Sequence, residues 1–125
     1  IDFHSFAKPV MRVVAELFER ARQAAVEDDA RLVLLHIPWG LAFESEEALQ
    51  SYLASPQYRH LSGVLRASGL PVIDLAELWQ AERLAVARSF YLHHGGRPAG
   101  HLSPAGNAAV AGILEHRLSP FLGPR

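Results

Sequence analysis

Apolar positions along the 125-residue chain change their period several times, and each change marks an expected element. Val10, Val13, Val14, Leu17, Phe18 and Ala21 recur at helical spacing, with Arg12, Glu16, Glu19, Arg20 and Gln23 between them. That pattern predicts an amphipathic helix over residues 9–27 with the apolar stripe buried. After the short polar connection Asp28-Asp29-Ala30, the run Leu32-Val33-Leu34-Leu35-His36-Ile37 is continuously apolar, of strand length, and stopped by Pro38. Such a run predicts a central parallel strand covered on both faces.

Residues 39–44 read as a loop. Ser45 followed by Glu46 and Glu47 has the composition of a helix start, with acids near the positive end of the dipole, and predicts a helix to residue 54. Ser55-Pro56 then supplies an N-cap and a first helical residue for a helix carrying Leu61, Val64 and Leu65 until Gly69 ends it. Pro71-Val72-Ile73-Asp74-Leu75 predicts a second short strand. Leu75, Leu78 and Trp79 begin a helix expected to continue to residue 88, and residues 89–100, rich in Gly, His and Pro, read as irregular. Ser103-Pro104 starts the last helix, which presents Ala109, Val110, Ile113 and Leu114 inward before Pro120 ends it.

The order is helix, strand, helix pair, strand, helix, loop, helix, and the connections are long enough to make the strands parallel. The expected class is α/β. Two strands are few for an open parallel sheet. Either Phe90-Tyr91-Leu92 adds a short third one, or the rest of the sheet lies on residues or chains beyond these.

Composition adds exclusions. With 50% hydrophobic and 20% charged residues the chain fits one globular domain spanning residues 1–125. Twelve Lys and Arg against thirteen Asp and Glu leave a net charge of −1, without the basic footprint that nucleic acid or anionic lipid requires. The absence of cysteine excludes a disulfide scaffold, a thiolate zinc site and a Cys nucleophile, and leaves the compartment open. No apolar run approaches membrane-span length, and no cofactor is expected. The chain opens at Ile1 without a Met, as a processed chain or an excised piece would.

The most informative segment is Gly100-His101-Leu102-Ser103-Pro104-Ala105-Gly106-Asn107-Ala108-Ala109-Val110-Ala111. It puts a histidine two residues before a helix N-cap, where rigid structure can aim an exposed imidazole as a general base requires. Position alone equally suits a solvated or locally bonded histidine. The segment resembles the last block of the SGNH, or GDSL-type, hydrolases, in which a catalytic His precedes Leu-Ser-Pro-x-Gly at the start of the C-terminal helix. Leu32 to Pro38 is similar to that family's strand ending in Pro, and Gly69 to Leu75 to its next strand. The resemblance covers residues 8–118. It implies a three-layer α/β/α, flavodoxin-like fold, partial here with two or three parallel strands, and hydrolysis or transfer of an acyl ester, with an acyl ester or acylated carbohydrate as substrate.

In that mechanism a Ser attacks the ester carbonyl, a His takes its proton, an Asp orients the His, and a Gly amide with an Asn stabilises the oxyanion. Only His101 carries over by motif position. The positions two and three before it, where the family has its Asp, are Ala99 and Pro98; no Gly-Asp-Ser block is present, and the one asparagine, Asn107, lies within the last helix. The chain is therefore expected to be the C-terminal part of such a domain, or a domain that kept the scaffold and lost the chemistry, and to be inactive alone. A non-catalytic binding module is the alternative, and an exposed apolar sheet edge would favour self-association.

Other residues invite weaker readings. Ser5, between Asp2, His4 and Phe6, imitates a nucleophile block but lacks the preceding strand and Gly, so helix-start chemistry is preferred. His93, His94 and His101, with Glu82 or Asp74, could be drawn to a metal; their spacing matches no zinc motif, and a solvated loop is preferred. Asp74 could replace the absent acid, with capping of the following helix preferred. Trp39 and Phe43 either line a pocket beyond the strand ends or cover the sheet edge.

Overall fold

The computed structural model describes residues 3–123, with side chains from residue 8 onward. It is a mixed helix and strand structure, 64% helical and 14% strand. The chain divides into two compact units, one formed by Ile1–Ile37 and Ser51–Leu75, the other by Pro38–Gln50 and Ala76–Arg125.

The first unit holds helix α1 (Phe3–Glu27), strand β1 (Leu34–His36), the end of helix α2 (Glu46–Ala54), helix α3 (Pro56–Ala67) and strand β2 (Val72–Asp74). The expected order of these elements is present. Strand β1 pairs parallel with β2, Leu34 opposite Val72, Leu35 opposite Ile73 and His36 opposite Asp74. Ser55 caps α3 as its sequence requires, its Oγ accepting from the Tyr58 amide at 3.2 Å, and Gly69 beyond the helix takes a left-handed φ of 70°.

Burial in this unit differs from expectation. Helix α1 begins six residues before Pro9 and packs on α3, half-burying Met11, Val14, Phe18, Arg22 and Ala25. Val10, Val13 and Leu17 stay exposed. One neighbouring helix covers only a ridge of side chains, and the apolar band of α1 is wider than that ridge. Strand β1 is likewise not covered on both faces: Leu35 within it and Ile37 just after it are exposed, since no layer of side chains packs over them.

The second unit holds a 3₁₀ turn at Gly40–Phe43, the start of α2, most of helix α4 (Leu75–Trp79), helix α5 (Leu84–Ser89), strands β3 (Tyr91–His94) and β4 (Arg97–Leu102), helix α6 (Pro104–Leu118) and a last 3₁₀ turn at Ser119–Phe121. Ser45 caps α2 by accepting from the Ala48 amide at 3.0 Å. Residues 75–88, expected as one helix, are two. The break at residues 80–83 lets both Trp79 and Ala87 bury, while Arg88 donates to the Glu44 carbonyl at 2.7 Å. The core is aromatic: Phe43 lies 5.8 Å from Tyr91 and 6.1 Å from Trp79, and Trp79 lies 4.8 Å from Phe90, ring centre to ring centre.

The region expected to be irregular is an antiparallel hairpin. His94 pairs with Arg97 across Gly95 and Gly96, whose φ values of 59° and 77° suit a type I′ turn that other residues adopt poorly. The strand at residues 91–94 therefore exists, but it pairs with β4 and not with the parallel pair. Among the described residues no helix is long and apolar enough to cross a membrane.

Candidate functional site

The segment around His101 is built on the second unit. From Tyr91 to His93 strand β3 advances two residues, while the matching span of β4, from Leu102 back to Pro98, advances four. The two extra residues make a bulge that contains Ala99, Gly100 and His101. Bulges bend a strand and re-aim its side chains, and His101 on this one is exposed. The expectation of an irregular loop is corrected accordingly: His101 belongs to the bulged end of a strand.

The helix start behind it is held on three sides. The Ser103 amide donates to the Phe90 carbonyl at 2.9 Å, its hydroxyl donates to the Ser89 carbonyl at 2.5 Å, and the same Oγ accepts from the Gly106 amide at 3.1 Å. Gly106 passes so close to the end of α5 that a Cβ there would overlap the Phe90 carbonyl oxygen. Ser, Pro and Gly at these positions thus answer separate needs: a cap, a preset φ and a close backbone approach. His101 stands two residues before this anchor.

Its imidazole makes no side-chain hydrogen bond among the described residues. The neighbouring histidines do not join it. His93 Nδ1 bonds the Tyr91 carbonyl at 3.1 Å, and His94 is exposed on the same strand. Glu82 lines a groove of about 440 Å³ with Trp79, Phe90, Ile113, His116 and Arg117. Among the described residues no group of three or more His, Asp or Glu side chains is placed to hold a metal ion. Ser5 lies in α1 and its side chain is outside those described, as is Asp2. Asn107 is exposed on α6. Phe43 is fully buried core, whereas Trp39 presents 65% of its surface.

Trp39 is nevertheless fixed in place. Pro38 before it is buried and its carbonyl accepts from the Tyr91 hydroxyl at 2.6 Å. Gly40 after it is buried so tightly that a Cβ would overlap the Ala99 carbonyl oxygen, and the Trp39 carbonyl accepts from the Ala42 amide at 2.9 Å. The indole lies along Gly100, where a Cβ would meet its Nε1 at 3.1 Å.

Asp74 belongs to the first unit, at the carboxyl end of β2. Its Oδ1 is 2.8 Å from Nδ1 of His36, the last residue of β1, and its Oδ2 accepts from the Tyr58 hydroxyl at 2.7 Å. The other ring nitrogen of His36 lies 3.2 Å from the Tyr52 hydroxyl. The Nδ1 proton is directed at the carboxylate, and the opposite ring nitrogen is engaged by Tyr52. Burial, and after it the charge of Asp74, pushes the Tyr52 phenol up to about 12. Sequence spacing does not mark His36 as part of any cluster; the one signal it offers is an ionisable residue within an otherwise apolar strand. Its ring is occupied on both sides, so the arrangement joins the two strands to the junction of α2 and α3 and leaves no free base.

The exposed His101, its anchored helix start and the braced Trp39 therefore make the candidate site, and its chemistry has to be read from the chain alone: comparisons with family models, curated proteins and solved structures return no match.

Proposed function

We propose that this chain is the C-terminal, histidine-bearing part of an SGNH-like ester hydrolase or acyltransferase of three-layer, flavodoxin-like architecture, with His101 as the base that takes the proton of a serine nucleophile. The supporting observation is the anchored helix start, which gives Ser103, Pro104 and Gly106 of the His-Leu-Ser-Pro-x-Gly run a physical task and leaves the imidazole outside. The serine and the oxyanion donors come from outside these residues. The exposed side chains of Leu35 on β1, of Ile37 just after it, and of Val13 and Leu17 on α1 are the surface that further elements would cover, or a second copy in their place.

Residues 1–125 alone should hydrolyse p-nitrophenyl acetate no faster than the His101→Ala variant, because among the described residues no carboxylate bonds His101 to hold its tautomer and stabilise its imidazolium. In the full-length protein that carries them, His101→Ala should abolish turnover, and His94→Ala should leave it. Full-length protein without His101-dependent turnover would overturn the hydrolase reading. The bare imidazole of His101 favours a second reading in that event, a binding module that kept the scaffold.

A further inference from the structure

We infer that α1 is a self-recognition surface, on which a second copy of this chain docks its own α1 antiparallel, with Leu17 on the two-fold axis. The helix carries two stripes of the same spacing, one residue apart in phase. Met11, Val14, Phe18, Arg22 and Ala25 face α3 and are half-buried. Val10, Val13, Leu17, Ala21 and Ala24 form the other stripe, and all five are exposed, Leu17 to 57%. Successive helical residues turn by about 100°, so this second stripe lies on the face beside the one that α3 covers and runs about 21 Å along the helix. It is apolar at every position, like the seam that a pair of helices buries between them.

The order of sizes along the stripe selects the occupant. Val10 and Ala24 stand equally far from Leu17 in sequence, as do Val13 and Ala21. Two copies laid antiparallel about Leu17 therefore set each valine against an alanine, so a large residue meets a small one in every layer but the central one, where Leu17 meets its own counterpart. A parallel pair would stack valine on valine at one end and leave alanine facing alanine at the other, with a gap between. The charges select the same arrangement. Glu16 and Arg20 border the stripe on the side away from α3, and neither side chain bonds another described residue, whereas Arg22 is taken by Glu19. In an antiparallel pair this border meets the same border of the second copy, with Glu16 of each beside Arg20 of the other. In a parallel pair it would meet the border that α3 occupies. Four turns of helix bury less than the roughly 1,200 Å² of a standard interface, so the dimer forms at micromolar concentrations and above. Neither the surface nor its occupant depends on the reading of His101.

Sedimentation of the 125-residue chain across about 1–500 μM should show a reversible monomer–dimer equilibrium. Leu17→Glu sets a charge against its own copy on the axis and should raise the dissociation constant by about thirtyfold or more. Because Leu17 is exposed in the monomer, the circular dichroism spectrum of that variant should be unchanged. Glu16→Arg and Arg20→Glu should each weaken the homodimer severalfold. An equimolar mixture of the two should associate more tightly than either alone, since opposite charges then face each other across the copies. The chain has no cysteine, so single engineered ones report the orientation. On oxidation Leu17→Cys should link to itself and Val10→Cys to Ala24→Cys, while Val10→Cys on its own stays unlinked. The inference is overturned if the chain is monomeric over the whole range, or if Val10→Cys links to itself and not to Ala24→Cys. A dimer that survives Leu17→Glu and both charge variants unchanged would overturn it too, since another surface, such as that of Leu35, would then hold the copies together.

Discussion

His36 and Asp74 are the last residues of two adjacent parallel strands, directly opposite in register, and they share a hydrogen bond of 2.8 Å with their side chains only 12% and 9% exposed. Strand carboxyl ends are where ligands commonly bind in open α/β sheets. Here the ring and the carboxylate have been turned to each other and to two tyrosines, and the cluster ties the first unit together.

Removing one member should leave the others buried and short of a partner. His36→Ala is expected to lower stability by about 2–4 kcal/mol, since the Asp74 carboxylate keeps its burial and loses its cationic or N–H partner. Asp74→Asn should cost less. The His36→Ala/Asp74→Asn double variant should lose clearly less than the sum, which urea midpoints in a double-mutant cycle would measure.

The raised phenol of Tyr52 has a sign. An acid whose folded pKa exceeds its ordinary value of 10 is favoured in its neutral form by the fold, so its stabilising contribution is complete below pH 10 and is lost as pH rises from 10 towards about 12. Stability of the wild type should fall over that window, and the fall should be shallower in Tyr52→Phe. Phenolate absorbance of the folded protein should show a tyrosine that titrates towards about 12 and is missing from Tyr52→Phe.

Two glycines of α6 should respond oppositely to alanine. Gly106→Ala forces a Cβ into the Phe90 carbonyl and should destabilise by about 2–3 kcal/mol or more, loosening the helix start behind His101. Gly112→Ala meets nothing within 4 Å and sits in a helix interior, so it should stabilise by about 0.5–1 kcal/mol. Thermal midpoints moving in the same direction would contradict this account of Gly106.

The hairpin turn makes a third demand on glycine. Gly96→Val puts a β-branched residue at φ 77° and should cost about 1–3 kcal/mol, whereas Gly95→Asn, a residue that tolerates φ 59°, should be close to neutral. Amide exchange at His94 and Arg97, which flank the turn, should quicken in the valine variant and not in the asparagine one.

Local chemistry is legible in the sequence itself. Ser45, Ser55 and Ser103 cap the helices their sequences announce, because a cap is decided within four residues of chain. The order of α1, β1, α2, α3 and β2 follows from hydrophobic period together with the cap and stop residues, and His101 can be placed next to a helix start. The Gly95-Gly96 pair is a weaker signal of a hairpin, because the strands flanking it, with His93, His94 and Arg97, lack the alternation that usually marks one. What depends on residues distant in sequence is not legible there. Whether the broad apolar band of α1 is covered depends on how many elements pack on it; whether residues 75–88 run straight depends on where Trp79 must go to meet Phe43, Phe90 and Tyr91. The bulge that carries His101 exists only as a mismatch between two strands. His36 and Asp74 stand 38 positions apart in sequence and meet only because their strands pair in register. Hydrophobic period and caps act over one or two turns of chain, so they set the elements; burial and hydrogen bonding between distant side chains are set by pairing, and pairing is where this protein's two polar centres were decided.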